Sequence, residues 1–152
     1  MRTRHRLEGR RIGIGVDGYQ RSDGAVYSIG LHVIWYPKYR KRVLTGPVAD
    51  RLKEILAEVA SERGWSIEAI EVMPDHVHVF LYVGPNDSVA TVTRAFKGRS
   101  ARILRSEFSR LRTPYPGLWS GSYFASSVGR VSADTVRRYI EGQTARPSAV
   151  GR

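Results

Sequence analysis

His76-Val77-His78 sets two imidazoles two residues apart in an apolar run, and Tyr139 precedes Gln143 by four positions. If the run is a strand, His76 and His78 point to one face while Val77 and Val79 point to the other, so two nitrogen donors converge from rigid backbone. Such a pair suits a divalent metal or proton transfer, although a short His-x-His match also describes two structural histidines. If the second segment is a helix, Tyr139 and Gln143 share one face. A tyrosine that attacks phosphorus needs a metal at the phosphate, and an amide one turn from the nucleophile can supply a ligand to it. The same two residues equally describe a half-buried aromatic beside a solvated amide.

The chain of 152 residues has the size of one compact domain. Lys and Arg number 25 against 14 Asp and Glu, a formal net charge of +11. That imbalance points to a polyanionic partner, nucleic acid first, and the preference for Arg supplies planar forks that match phosphate. Cysteine is absent, which excludes disulfides and thiolate zinc sites and leaves His, carboxylate, amide and water as ligands for any metal. No apolar run approaches the ~20 residues of a membrane span, and the basic residues 1–11 are not followed by an apolar stretch. Neither a membrane anchor nor a secretory signal is expected, and the expected location is cytoplasmic.

The elements that must position these residues can be read from periodicity. Residues 1–24 are rich in Arg and Gly and read as a flexible basic arm, residues 25–146 as a single domain, and residues 147–152 as a short tail. The β-branched and aromatic residues from Val26 to Trp35 predict a strand ended by Pro37. Pro47 suits the first position of a helix whose apolar residues Val48, Leu52, Ile55, Leu56 and Val59 recur at helical spacing up to Gly64. Ile67, Ile70 and Val72, then Val77, Val79, Leu81 and Val83, predict two strands joined at Met73-Pro74-Asp75. Asn86 or Asp87 would cap a second helix carrying Val89, Val92, Phe96 and Ile103 inward. A fourth strand is predicted over Leu118 to Val128, and a last helix from Ser132 through Tyr139 and Gln143. The order βαββαβ plus a C-terminal helix is the ferredoxin-like split βαβ pattern of the α+β class, an antiparallel sheet with helices on one face.

The string from Glu71 to His78, the upstream Trp35-Tyr36-Pro37-Lys38-Tyr39-Arg40 and the late Tyr139-Ile140-Glu141-Gly142-Gln143 resemble the single-tyrosine HUH transposases. More narrowly, they resemble the TnpA type of the insertion sequence 200/605 group, over nearly everything from Val26 to Gln143. The resemblance implies that His76, His78 and Gln143 hold a divalent metal, Mg²⁺ or Mn²⁺, and that Tyr139 is the catalytic nucleophile. It implies metal-dependent cleavage and rejoining of single-stranded DNA at hairpin-bearing ends through a 5′-phosphotyrosine. It also implies a homodimer in which the tyrosine helix of one subunit is able to complete the site of the other. The chain departs from the family's usual pattern in its longer arm, in Tyr36 where relatives often carry Cys, and in the Ser- and Gly-rich stretch 120–130.

Lys38, Arg40, Lys41 and Arg42, with Arg94, Lys97, Arg99 and Arg102 on the second helix, are the expected DNA-binding residues. Tyr39, Trp119 and Tyr123 are able to stack on bases, although core or edge packing is the expected role of any one of them, and His32 is expected to be structural. Two neighbouring readings share part of this pattern. One is a domesticated repeat-associated tyrosine transposase acting on chromosomal palindromes. The other is a non-catalytic single-strand nucleic-acid-binding module, which the ferredoxin-like sheet with basic and aromatic residues also describes.

Overall fold

A computed structural model describes residues 19–22, 25–112, 117–129 and 137–142 of the protein. In chain order the strands are β1 (Gln20–Ser22), β2 (Ala25–Tyr27), β3 (Ile29–Pro37), β4 (Ser66–Met73), β5 (His76–Val83) and β6 (Trp119–Val128). The helices are α1 (Pro47–Arg63), α2 (Val89–Glu107) and a helical segment at 137–142, here α3. The main sheet is antiparallel throughout, in the order β4-β5-β3-β6. With β3 counted as its first strand this is the split βαβ order, because α1 and α2 each carry the chain across an intervening strand.

One face of this sheet is the core. Leu31, Val33 and Trp35 of β3 and Val77, Val79, Leu81 and Val83 of β5 bury against Val48, Leu52, Ile55 and Leu56 of α1 and Val92, Phe96 and Leu104 of α2. Trp35 is fully buried, stacked on Phe96 at 5.9 Å between ring centroids and edge-on to Trp119. Offset and edge-on aromatic pairs of this kind add about 0.5–1.5 kcal/mol each beyond the area they bury. Period-two alternation then forces His32, Ile34 and Tyr36 of β3, and His76, His78 and Phe80 of β5, onto the opposite face. In β4 the apolar residues do not keep one parity. A register shift between Ile67 and Ala69 lets Ile67, Ile70 and Val72 all pack against the core, turning Ala69 to the histidine face.

The helix ends follow local chemistry. Pro47 opens α1, and Gly64 closes it in the left-handed conformation at φ 71°, its N–H returned to the carbonyls of Ala60 and Ser61. The cap of α2 is Ser88, whose hydroxyl accepts from the Thr91 N–H at 3.1 Å, and not Asn86 or Asp87. Asp87 is occupied elsewhere, accepting from the Gly84 N–H and the Trp65 indole N–H, both at 2.9 Å.

The first strand expected from Val26 to Trp35 is divided at Ser28. Its outer part, β2, leaves the main sheet and pairs with β1 in a separate two-stranded ribbon. Gln20–Ser22, inside the segment expected to be a flexible arm, is therefore a strand, with Ala25–Tyr27 as its partner. Residues 1–18 of that arm, the expected cap Ser132, and the tail at 147–152 lie outside the described residues. Among the described residues, no helix is long and apolar enough to cross a membrane.

Candidate active site

His76 and His78 stand side by side on β5, ring centroids 4.8 Å apart, facing away from α1 and α2. Each has its Nδ1 engaged. His76 Nδ1 lies 2.7 Å from Asp75 Oδ1, and since a carboxylate only accepts, the imidazole donates there. His78 Nδ1 lies 3.1 Å from His32 Nε2, with the two rings stacked at 5.4 Å. The sheet register explains this second contact. Phe80 is directly opposite His32, so His78, two residues back on the same face, is its diagonal neighbour.

Asp75 is held in turn by Arg40, Nη2 to Oδ2 3.2 Å. The chain needs an uncommon turn to bring Arg40 back. Tyr39 and Arg40 both have positive φ, 59° and 50°, a conformation that costs a residue with a Cβ roughly 1–2 kcal/mol. The turn lays the Arg40 guanidinium over the Tyr36 ring at 4.6 Å, a cation–π contact. Burial works to raise the Asp75 carboxyl, but the hydrogen bond and charge of His76 and the charge of Arg40 outweigh it and hold the group below its ordinary value.

Burial, and then the like charge that His76 and His32 would carry, pushes His78 down to about 4, and burial lowers His32 as well. The unfolded chain therefore takes up protons near pH ~6.5 that the folded chain refuses until lower pH. Stability from these two rings is fully present above that value and is lost as pH falls toward about 4. Urea unfolding of the metal-free protein between about pH 7 and about pH 4.5 is expected to show this loss, and a His32→Gln, His78→Gln double variant to show less of it. Equal losses in both proteins would contradict the assignment.

Tyr139 lies on the same face. Its ring centroid is 6.4 Å from that of His78 and the residue is 56% exposed. Ile140 and Arg137 help to seat α3 there. Ile140, 1% exposed, packs against Ala69 of β4, Phe80 of β5 and Val128 of β6, and Arg137 Nη2 meets Glu68 Oε2 at 3.0 Å. Gly30 makes the floor flat: a Cβ there would lie 2.9 Å from the Val128 carbonyl oxygen and 3.2 Å from the Phe80 ring. Gln143 lies outside the described residues.

Two imidazoles that each engage a partner through Nδ1, and whose Nε2 atoms meet no partner among the described residues, are a donor set that fits a divalent cation, and for His76 the Asp75 carboxylate behind the ring fixes the tautomer. Among the described residues, no third His, Cys, Asp or Glu joins them in a cluster able to hold a metal.

The basic residues divide by location. Lys38, Arg40, Lys41 and Arg42 follow β3 at the end where His76 sits, and Arg40 is tied to Asp75. Arg94, Lys97, Arg99 and Arg102 are on α2, across the sheet from the histidines. Lys97 donates to the Ser120 carbonyl at 2.7 Å and is lowered by burial, and Arg99 grips Glu62 through both terminal nitrogens. Arg94 and Arg102 line an open groove with Arg63 and Thr91. Trp119 takes the core-packing role expected of such an aromatic and donates to the Ser100 hydroxyl at 3.0 Å, while Tyr39 and Tyr123 are exposed and remain able to stack on bases. Residue patterns alone left His32 as structural and Asp75 without a role. For Asp75 a signal existed in its place beside His76, whereas His32 needed the strand register.

Comparisons with known proteins give the family and the fold. Residues 25–143 match the family model described as "Transposase IS200 like". The ISDra2 transposase TnpA of Deinococcus radiodurans is 38% identical over 126 residues, covering 82% of this chain and 90% of that protein. The transposase of insertion sequence element IS200 from Salmonella typhimurium is 28% identical over 114 residues, 74% of each chain. Among solved structures, a putative transposase from Deinococcus radiodurans R1 superposes with a TM-score of 0.69 at 39% identity, over 82% of this chain and 97% of its own. A REP-associated tyrosine transposase bound to a REP hairpin shares the fold, with a TM-score of 0.59 at 16% identity over 82% and 73% of the two chains. A histidine pair on the central strand with a tyrosine helix docked over it, in a chain that matches the family model along most of its length, makes this protein a member of the IS200-like transposase family.

Proposed function

We propose that the protein cuts and rejoins single-stranded DNA at hairpin-bearing element ends, with Tyr139 as nucleophile. The observation that carries this reading is the exposed Tyr139 ring 6.4 Å from His78 of its own chain. His76 and His78, joined by the Gln143 amide, would hold Mg²⁺ or Mn²⁺, which supplies charge neutralisation at the scissile phosphate when bound. The Tyr139 phenol oxygen forms the bond to phosphorus, and the bond from phosphorus to the 3′ oxygen breaks. The products are a 5′-phosphotyrosine and a free 3′-OH, the phenol proton passing to solvent or a base and the departing 3′ oxygen taking up a proton from solvent. A second 3′-OH attacking the same phosphorus releases Tyr139 and joins new ends, and no nucleotide cofactor is consumed because the covalent link keeps the phosphodiester energy.

Lys38, Arg40, Lys41 and Arg42 border the histidines and are assigned to the strand near the scissile phosphate, while Arg94, Lys97, Arg99 and Arg102 across the sheet are assigned to the hairpin. A hairpin is what the REP-associated relative of this fold holds in its solved structure. One tyrosine per site and two ends to be cut make a homodimer the simplest working unit. With Tyr139 beside its own chain's His78, each subunit brings tyrosine and histidines together.

Wild type incubated with single-stranded oligonucleotides of its own element ends and Mg²⁺ or Mn²⁺ is expected to form an adduct that survives denaturation. The strand released should carry an extendable 3′-OH, and the fully duplex ends should give no adduct. Absence of an adduct on its own single-stranded ends would sink the proposal. Mixing Tyr139→Phe with the His76→Ala, His78→Ala double variant reads the arrangement. No adduct is expected from the mixture if each tyrosine serves its own chain, and recovery of adduct would show exchange between subunits.

A further inference from the structure

We infer that His32 is a positioning residue: its Nε2 accepts a hydrogen bond from His78 Nδ1–H and holds His78 in the one tautomer whose Nε2 is left free for a ligand. The inference rests on the metal reading above and adds a residue to it. For His76 the tautomer is decided by a carboxylate, because Asp75 can only accept. For His78 the partner is another imidazole, 3.1 Å away, and by itself the pair allows either ring to donate. Only donation by His78 leaves its Nε2 lone pair available.

The surroundings fit a fixed acceptor. His32 is stacked on His78 with 19° between planes and has Phe124 edge-on behind it at 6.2 Å, so its ring is confined from both sides. Its place on β3 is set by the register with β5, opposite Phe80, and not by a loop. A neutral acceptor also suits this half-buried position, where a carboxylate would add the cost of burying a charge.

Long-range ¹H–¹⁵N correlation spectra of the metal-free protein read the tautomer directly. His78 is expected to carry its proton on Nδ1 in wild type, to become a mixture of tautomers in His32→Phe, and to return to the Nδ1–H form in His32→Gln, whose amide oxygen can accept. Mn²⁺ titrations should follow the same order, with His32→Phe binding roughly 10–100-fold more weakly, the usual effect of losing such a partner, and His32→Gln close to wild type. A wild-type His78 protonated on Nε2 overturns the inference whatever the variants do, so it survives a phenylalanine variant that fails to fold. If wild type binds Mn²⁺ and His32→Phe binds it equally well with the tautomer unchanged, this inference alone falls. A wild type that takes up no Mn²⁺ overturns the metal reading and this inference with it.

Discussion

Tyr139→Phe is expected to abolish the covalent protein–DNA adduct and to lower strand cleavage by on the order of 10⁴-fold or more, as loss of a nucleophile that acts within a unit does. The fold should not change. Tyr139 is 56% exposed and the substitution keeps the ring that faces His78, so its effect on stability should stay within about 0.5 kcal/mol. Binding of hairpin oligonucleotides should survive too, since the assigned cations lie on other elements. The measurement is a denaturing gel of wild type and variant on the same labelled strands, with thermal unfolding in parallel. An adduct that persists in Tyr139→Phe would move the nucleophile to another residue, and an adduct lost together with the thermal transition would make the result one of folding.

Ile140→Ala is expected to undock α3 while leaving the rest of the domain folded. Ile140 buries its side chain on Ala69, Phe80 and Val128, and Arg137 pairs with Glu68 at the sheet edge. Truncating a buried isoleucine costs about 2–5 kcal/mol, whereas a partly exposed ion pair of this kind contributes about 0.2–1 kcal/mol. Of these two contacts the apolar one is the stronger. The main core on the other face, built by α1, α2 and the sheet, shares none of these residues. Hydrogen exchange should show lost protection confined to residues 137–142, with β3 and β5 still protected. Adduct formation should fall by about 100-fold, because a nucleophile displaced by even about 1 Å forfeits that much. Uniform loss of protection across the sheet would mean that α3 is needed for the global fold. Unchanged adduct formation would mean that the docked position is not the reactive one.

Much of this architecture could be read from local pattern, for reasons particular residues make plain. The Pro47 start and Gly64 stop of α1 depend on the φ preferences of those two residues, which act wherever the sequence places them. The pairing of β4 with β5 follows from a two-residue turn between apolar runs. The cap of α2 falls at Ser88, one or two positions beyond the expected Asp87 or Asn86, because Asp87, a good capping residue in isolation, is drawn away by the Trp65 indole. The single strand expected across Val26 to Trp35 failed at Ser28, since β propensity does not specify which partner each half will pair with.

The chemistry divides along the same line. That His76 and His78 share a face is a property of alternation in one strand, and the residues of the Tyr139 segment, with those around the histidines, were enough to reveal the family. Which face of the sheet receives the tyrosine helix is a different kind of fact. It depends on the register that aligns Ala69, Phe80 and Val128 into one apolar floor, on the missing side chain at Gly30, and on Ile140 filling the space above. His32 meets His78 only because β3 and β5 pair with Phe80 opposite His32, and a shift of one residue would send every side chain of β3 to the other face. Arg40 reaches Asp75 only through two residues held at positive φ. The histidine pair and the chemistry suited to it are thus present in the order of the residues, while the partners that orient each ring and bring Tyr139 beside them come from strand pairing and packing between segments distant in the chain.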